Sequence, residues 1–306
     1  MSVFVVMLHL KVMNQTNPHI SHYLVNGILR IAVPIFLIIN GYFICYSFDN
    51  GGFRKVINNL LKLYVIWMVI YSYFWIKGFS SINITLSIIF GYHILWYFPG
   101  IILSLIILYK VKDFDVRKIS LISISLYLTG YFIQLLISRG IIFGETSNGL
   151  IKIITYRNFL FDCFPIIYIG YLLNRKNLYI SKGLLTLISA ILFVLLLLES
   201  NFNTYIYGES FQTDIMIVPP FLAAAIFLLS TKVTIRSDIN SKLISQFATS
   251  IFLVHVLCIT ISSKILMLIK IDSTPIYYSL VLLLSFILSI VLVYLKQAKK
   301  NLILLP

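Results

Sequence analysis

Five ionisable side chains lie inside or at the edge of apolar runs, and they are the first candidates for chemistry: His9, Arg30, His93, Arg157 and His255. A charged or chargeable group is costly in lipid, so by default it marks a functional site. The ordinary pKa of histidine lies near neutrality, so its ring can accept a proton from a hydroxyl at physiological pH. These residue types therefore predict general-base or nucleophilic chemistry at a hydroxyl group.

Three of the five have an equally simple structural explanation. A lone histidine in a membrane, such as His255, can just bond a neighbouring carbonyl. Arg30 stands at a helix start, where a long side chain reaches the interface. His93 lies beside Trp96 and Tyr97 and can belong to an aromatic interfacial belt. Both explanations stay open for each residue at this level.

Arg157 has a structural alternative as well, because an ordinary loop charge would look the same. Asp162, about one and a half turns further on, is predicted to pair with it locally. The three cysteines, Cys45, Cys163 and Cys258, are far apart inside apolar runs, which predicts buried thiols. No H-E-x-x-H, P-loop or G-x-S-x-G pattern occurs, so metal-dependent or serine-triad hydrolysis has no support.

The elements that hold these residues must lie in lipid. Of the 306 residues, 60% are hydrophobic and 11% are charged, and the mean hydropathy is +0.98. Soluble domains carry roughly 25% charged residues, so an ordinary soluble enzyme is excluded. The net charge of +14 would suggest nucleic-acid binding, but the charges fall in short clusters between apolar runs and no recognition motif accompanies them.

The sequence predicts an all-α polytopic membrane protein of about ten transmembrane helices in a single domain, residues 1–306. The opening run Met1–Leu10 reaches about 15 Å, half of a hydrocarbon core, so the first helix is expected to be truncated. The other predicted spans are 30–48, 58–76, 94–110, 118–137, 159–174, 183–199, 213–231, 247–268 and 276–295.

Basic residues alternate along the connections between these spans. The rich connections carry three or four Lys and Arg each, and together they hold 16 of the 24; they are 49–62, 110–118, 175–182, 232–245 and the tail after 295. Cytoplasmic loops collect Lys and Arg, so this side and the C-terminus are predicted to be cytoplasmic. The opposite connection 199–214 carries Glu199, Glu209 and Asp214 without a basic residue, which predicts a locally acidic outer face.

Six stretches in order resemble the acyltransferase 3 family, the bacterial membrane O-acyltransferases of surface polysaccharides. The similarity runs from His9 to His255. One difference is Asn40, where the family usually has a serine before Gly-Tyr; another is that the family's basic residue ahead of the first-helix histidine would precede Met1. The stretches are FVVMLHL, RIAVPIFLIINGYF, KLYVIWMVIYSYF, GYHILWYFPGIILS, RNFLFDCFPIIYIGYLL and TSIFLVH.

The resemblance implies transfer of an acyl group, commonly acetyl from acetyl-CoA, to a sugar hydroxyl, with no metal. His9 would be the base or the acyl carrier, and Arg30 would assist catalysis by stabilising the oxyanion. His9, Arg30, His93 and Arg157 would converge near the outer side. The residues expected to stabilise the oxyanion or bind substrate or cofactor are Asn40, Tyr42, His93, Trp96, Arg157, Asn158 and His255.

Two other functions remain open on the sequence. A transporter or flippase for a lipid-linked oligosaccharide would also have many spans and scattered intramembrane charge, although such proteins often show repeated halves and none is visible here. A non-catalytic assembly partner in the membrane is the second. The expected location is the bacterial cytoplasmic membrane, with acyl-CoA, a polysaccharide acceptor and lipid as partners.

Overall fold

The computed structural model describes residues 1–77, 80–144, 148–176, 179–207, 213–233, 240–271, 273–298 and 305. All regular elements in these ranges are helices. The chain divides into two compact units. The first consists of Met1–Ala32 and the described part of 234–306, and the second of Val33–Val233.

The first unit is built on a helical hairpin, with a short helix packed on one of its members. The two hairpin helices meet through small residues, where Ser285 and Ser289 are buried. Small side chains let membrane helices approach closely. A short helix, α1 (Ser2–His9), packs on the hairpin helix α13 (Ser241–Leu268), and Val5 and Val6 of α1 are buried. The helices are α1 (Ser2–His9), α2 (Pro18–Val25), α13 (Ser241–Leu268) and α14 (Thr274–Ala298).

The second unit is a bundle of helices. A single π-helical turn, Phe159–Cys163, leads into α10. The helices are α3 (Ala32–Asp49), α4 (Phe53–Ile70), α5 (Ser72–Ile76), α6 (Ser81–Phe90), α7 (Tyr97–Val111), α8 (Val116–Ser138), α9 (Gly149–Tyr156), α10 (Phe164–Arg175), α11 (Lys182–Tyr207) and α12 (Val218–Thr231).

The second unit gathers basic-rich connections at one end, called here the basic end (residues 49–55, 109–118, 175–176, 179–182 and 232). Arg175 binds the Asp49 carboxylate through both terminal nitrogens, at 2.9 and 2.6 Å. The Tyr171 hydroxyl donates to Lys112 O, and the ammonium of Lys232 lies 5.0 Å from the ring centre of Tyr179. These contacts agree with the predicted alternation of loops along this part of the chain.

Six described helical stretches are long and apolar enough to cross a membrane. The prediction of about ten is therefore not confirmed. The predicted spans 159–174 and 213–231 correspond to α10 and α12, which have 12 and 14 residues; at 1.5 Å per residue both fall short of a 30 Å hydrocarbon core. The six are Pro18–Asp49, His93–Val111, Val116–Ser138, Lys182–Ile206, Ser241–Leu268 and Thr274–Ala298.

Two glycines fix the contact between α3 and α10. A Cβ on Gly41 would lie 1.9 Å from Ile167 O, and one on Gly170 would lie 2.2 Å from Ile38 O. Both neighbours are backbone atoms, which no rotamer change can move away. The helices thus meet backbone to backbone, and only glycine fits at either position.

We expect Gly41→Ala or Gly170→Ala to destabilise the protein by about 2 kcal/mol or more, because the added methyl forces two backbones apart. Gly183→Ala is the matched control, since nothing lies within 4 Å of its Cβ position. Thermal unfolding of the purified protein in detergent measures the difference. Equal melting temperatures for the three variants would contradict the close approach.

Candidate functional site

His9 and His255 lie against each other inside the first unit. Their ring centres are 5.2 Å apart, with the ring planes inclined by 33°. His9 is the last residue of α1, and His255 lies in the middle of α13 and is fully buried. The packing of α1 on α13 therefore brings together two histidines that are 246 positions apart in the sequence.

The hydrogen bond of His255 fixes the form of its ring. Its Nδ1 lies 2.7 Å from the carbonyl oxygen of Phe252, one turn earlier in α13. A carbonyl only accepts hydrogen bonds, so Nδ1 carries the proton. In the neutral ring Nε2 is then the basic nitrogen. The bond to a neighbouring carbonyl, considered above as a purely structural role, thus also sets which nitrogen can accept a proton.

Arg30 belongs to the same unit and is held by the end of α2. Its Nε donates to Val25 O at 3.0 Å, and Nη2 donates to the Asn26 side-chain oxygen at 3.4 Å. The Asn26 amide in turn lies 3.3 Å from His22 Nδ1. The short turn that carries Arg30, Ile28–Ile31, packs on α1. The Arg30 side chain is half-buried and oriented by the backbone around it.

The second unit contains a tight turn ahead of α7. Gly91 has a φ of +88°, and a Cβ there would lie 2.5 Å from Leu95 C. His93 itself has a φ of +48°, in the left-handed region that is uncommon for residues other than glycine. Strained backbone of this kind concentrates at functional sites. The turn leads through His93–Trp96 into α7.

Arg157 forms the centre of a second cluster. Its guanidinium carbon lies 4.8 Å from the ring centre of Trp96, and its Nη1 lies 3.2 Å from Asp214 Oδ1. The side chains of Arg157 and Asp214 are 25% and 10% exposed. Burial lowers the pKa of Arg157, but the nearby negative charges, led by Asp214, outweigh it and raise the pKa. Arg157 is therefore a permanent, shielded cation that also lies within electrostatic range of His93.

Besides Arg157, two side chains hold Asp214 in place, Tyr156 and Gln134. The Tyr156 hydroxyl donates to Asp214 Oδ2 at 3.1 Å. The buried side-chain oxygen of Gln134 accepts from the backbone N–H of both Asp214 and Ile215, at 2.9 Å each. The Gln134 amide donates back to Ile215 O at 2.9 Å. These bonds attach the irregular segment 213–216 to α8. The Asp214 carboxylate on this segment is thereby held in contact with Arg157.

Asn158 shapes the backbone that follows Arg157. Its side-chain oxygen accepts from the N–H groups of Leu160 and Phe161, at 2.9 and 3.0 Å. Its backbone carbonyl accepts from Asp162 and Cys163 at the start of the π turn. Such turns are frequent at functional sites. Asn158 thus fixes the backbone next to Arg157 through hydrogen bonds, and this fixed backbone orients the Arg157 side chain.

The structure places Asn40 and Tyr42 in packing and hydrogen-bonding positions within the second unit. The Asn40 amide donates to Phe36 O at 2.8 Å and to the Tyr97 hydroxyl at 3.2 Å, so both of its hydrogens are engaged. The Tyr42 ring packs edge-on against Phe227, with centres 4.9 Å apart. The oxyanion role expected of these residues remains a prediction.

Several sequence-based expectations are answered here. The ion-pair partner of Arg157 is Asp214. The prediction that Arg157 pairs with Asp162 is therefore wrong. Asp162 lies close enough to contribute charge, but the hydrogen bond goes to Asp214. Glu199 accepts from the backbone N–H groups of Ile217 and Val218. Glu209 lies outside the described residues.

Buried thiols are confirmed for Cys45, Cys163 and Cys258, all free and buried. Across the described ranges, His, Cys, Asp and Glu form no group of three or more that could hold a metal ion. Gln134, Tyr156 and Asp214 were not identified as site residues from the sequence. Gln134 and Asp214 are 80 positions apart, and no local motif signals such a contact.

A family model for the acyltransferase domain of the acyltransferase 3 family matches residues 2–294. The chain belongs to this family. No curated protein and no solved structure matches it. The match spans both histidines and the Arg157 cluster. Together with the apolar helices, it makes the protein a multi-pass membrane acyltransferase. The roles of the individual site residues remain predictions.

We expect Asp214→Asn to destabilise the second unit by about 3 kcal/mol, because the substitution leaves the shielded Arg157 cation without its counter-charge. Tyr156→Phe should cost about 1 kcal/mol, the value of one hydrogen bond. Asp113→Asn is the matched control, since the Asp113 carboxylate, which pairs with Lys112, is 79% exposed and the pair should contribute little. Melting temperatures in detergent rank the three. An Asp214→Asn variant as stable as Asp113→Asn would contradict the assigned pair.

Proposed function

We propose that the protein transfers an acyl group, in the first instance acetyl, from acyl-CoA to a hydroxyl of a cell-surface or secreted polysaccharide or of its lipid-linked precursor. The observation that carries this proposal is the His9–His255 pair, inside a chain whose family is an acyltransferase family. An acyl transfer to a hydroxyl needs a basic nitrogen close to a second polar group, and this pair supplies both.

In the proposed reaction, the acceptor oxygen attacks the thioester carbonyl carbon. His9 takes the hydroxyl proton, the new C–O bond forms, and the C–S bond breaks as CoA leaves with a proton returned from the histidine. A route through an acyl group carried on His9 would use the same residues in two steps. His255 is proposed to assist His9 in either route. Its Nδ1 proton is held by Phe252 O, so Nε2 is the nitrogen that can accept a proton.

Arg30 is the proposed oxyanion stabiliser, since a guanidinium that its neighbours hold in place needs little reorganisation as charge develops. Arg157 is proposed to bind substrate. Its counter-charge at Asp214 and its stacking on Trp96 hold the planar group rigid, and a rigid planar donor suits carboxylate or phosphate groups. Asn158 supports this role through the backbone, and His93 lies within reach of the same charge.

The basic end of the second unit is the proposed entry for the acyl donor. CoA carries several phosphate negative charges, and a surface bearing Arg54, Lys55, Lys110, Lys112 and Lys118 attracts them. The positive-inside rule assigns this end to the cytoplasm, where acyl-CoA is made. The acceptor glycan then approaches from the opposite side of the bacterial cytoplasmic membrane.

We expect His9→Ala to keep the protein in the membrane but to abolish O-acylation, because no base remains to deprotonate the hydroxyl. Proton NMR of surface polysaccharide from a deletion strain complemented with each variant measures the O-acyl signals. His19→Ala is the matched control, a histidine substitution at an exposed position. Full O-acylation by His9→Ala would remove the catalytic assignment.

The same experiment separates transfer from transport. A deletion strain that exports normal amounts of polysaccharide lacking O-acyl groups supports the proposal. A strain that makes the polysaccharide but fails to export it points instead to a flippase, the alternative that the sequence left open.

The proposed orientation gives a further prediction. A green fluorescent protein joined after Pro306 should be fluorescent, because it folds in the cytoplasm but not after export through the general secretion pathway. A periplasmic alkaline phosphatase joined at the same point should be inactive. The opposite pattern would reverse the orientation and with it the side at which the acyl donor enters.

A further inference from the structure

The first unit contains a cavity whose lining includes neither histidine of the pair. This cavity of about 720 Å³ lies between the end of α1, the segment after it, the end of α13 and the start of α14. This volume falls within the roughly 300–1,000 Å³ of small-molecule sites. Neither His9 nor His255 lines it. Leu10 and Lys11, which follow His9 in the chain, form part of its wall.

Two lysines on the cavity wall occupy the same unusual position in two different helices. Lys11 follows the end of α1 with φ +48°, and Lys270 follows the end of α13 with φ +54°. In each case the residue after the lysine bonds back across the turn, Val12 N to Met7 O and Ile271 N to Leu266 O. Glycine is the usual residue at this left-handed position, because it has no Cβ to strain the backbone.

A lysine at either left-handed position strains the backbone in a way that glycine would not. The presence of lysine at both positions therefore indicates a role for its side chain. A positive charge near a helix C-terminus stabilises the helix dipole, but a lysine one turn earlier would do so without left-handed strain. Both ammonium-bearing chains instead line one cavity. Asp272, two residues after Lys270, lies outside the described residues.

The rest of the cavity wall offers amide and hydroxyl groups. Asn14, Gln15, Thr274, Tyr277 and Tyr278 line it. A bond between the Thr274 hydroxyl and the Gln15 side-chain oxygen, and one from the Tyr278 hydroxyl to Lys11 O, join its two walls. Amides and hydroxyls match the hydroxyl groups of a sugar, and phenol rings offer faces on which a sugar ring can lie.

We propose that this cavity binds an anionic saccharide, with the amides and hydroxyls holding sugar hydroxyls and Lys11 and Lys270 binding a carboxylate or phosphate on the sugar. The inference rests on the proposed function, because it takes the ligand to be part of the acyl acceptor. The proposed orientation puts the end of α13 on the outer side, where a glycan arrives. The acceptor class is thereby narrowed to glycans that carry negative charge.

The test measures binding to the full-length protein in nanodiscs of neutral phosphatidylcholine, without acyl-CoA. The probes are tetragalacturonate and its fully methyl-esterified form, which has the same sugar chain and hydroxyl groups but carries a neutral methyl ester in place of each carboxylate. We expect the anionic probe to bind at least about tenfold more tightly, since charge-assisted hydrogen bonds exceed neutral ones. Isothermal titration calorimetry gives both dissociation constants.

The variant Lys11→Gly/Lys270→Gly separates binding from fold stability. Glycine suits a left-handed φ, so its melting temperature should equal or exceed that of the wild type, while the preference for the anionic probe disappears. Lys264→Gln is the matched control, a neutralised lysine on α13 that does not line the cavity, and it should keep the preference. Equal binding of the anionic probe by the wild type and the double variant would overturn the proposal.

Two further measurements distinguish a saccharide ligand from a free anion and from a lipid headgroup. Inorganic phosphate that binds as tightly as tetragalacturonate would show a free-anion site and overturn the saccharide assignment. So would displacement of tetragalacturonate by glycerophosphoglycerol, the soluble form of the phosphatidylglycerol headgroup, which would show a lipid headgroup site. His9→Ala should bind the probe normally. If His9→Ala still O-acylates the polysaccharide, only the catalytic assignment of His9 is contradicted. If the cavity binds the anionic and the neutral probe equally well, only the present inference is contradicted.

Discussion

A charge removed from water needs a counter-charge or a hydrogen-bonding shell, and much of the second unit follows from meeting that need for Arg157. Asp214 supplies the charge, Trp96 covers one face of the guanidinium, and Gln134 fixes the segment that carries Asp214. These groups come from α7, α8 and the segments around them. A single shielded cation therefore links several elements, and its removal would affect packing as well as any ligand.

Much of the helix arrangement follows from composition, because lipid permits few alternatives to helices. At the basic end, Arg175 binds Asp49 and thereby joins two of the basic-rich connections. The number of spans was harder to predict, because apolar runs do not reveal where a helix breaks. The run 159–174 contains a π turn followed by a 12-residue helix, and Pro219 and Pro220 mark the start of α12 after a segment without regular structure.

The candidate site was only partly visible in the sequence. Histidines in apolar runs are conspicuous by residue type alone, so the sequence identifies His9 and His255 as candidates. It does not reveal that the two rings are in contact. Gln134 and Asp214 are ordinary polar residues, and their importance comes from contacts between distant segments. The lysines of the cavity were counted only as loop charges, because a left-handed φ leaves no trace in residue type when the residue is not glycine.

The π turn after Arg157 has a consequence for the angular setting of α10. Each residue of an α-helix turns the chain by about 100°, so the wider turn shifts the face that every later residue of α10 presents. That shift directs Gly170 at α3, where backbone meets backbone. The direction of the Arg157 guanidinium and the rotation of α10 are thus two results of one geometric adjustment. Insertions and deletions at this point would therefore change both together.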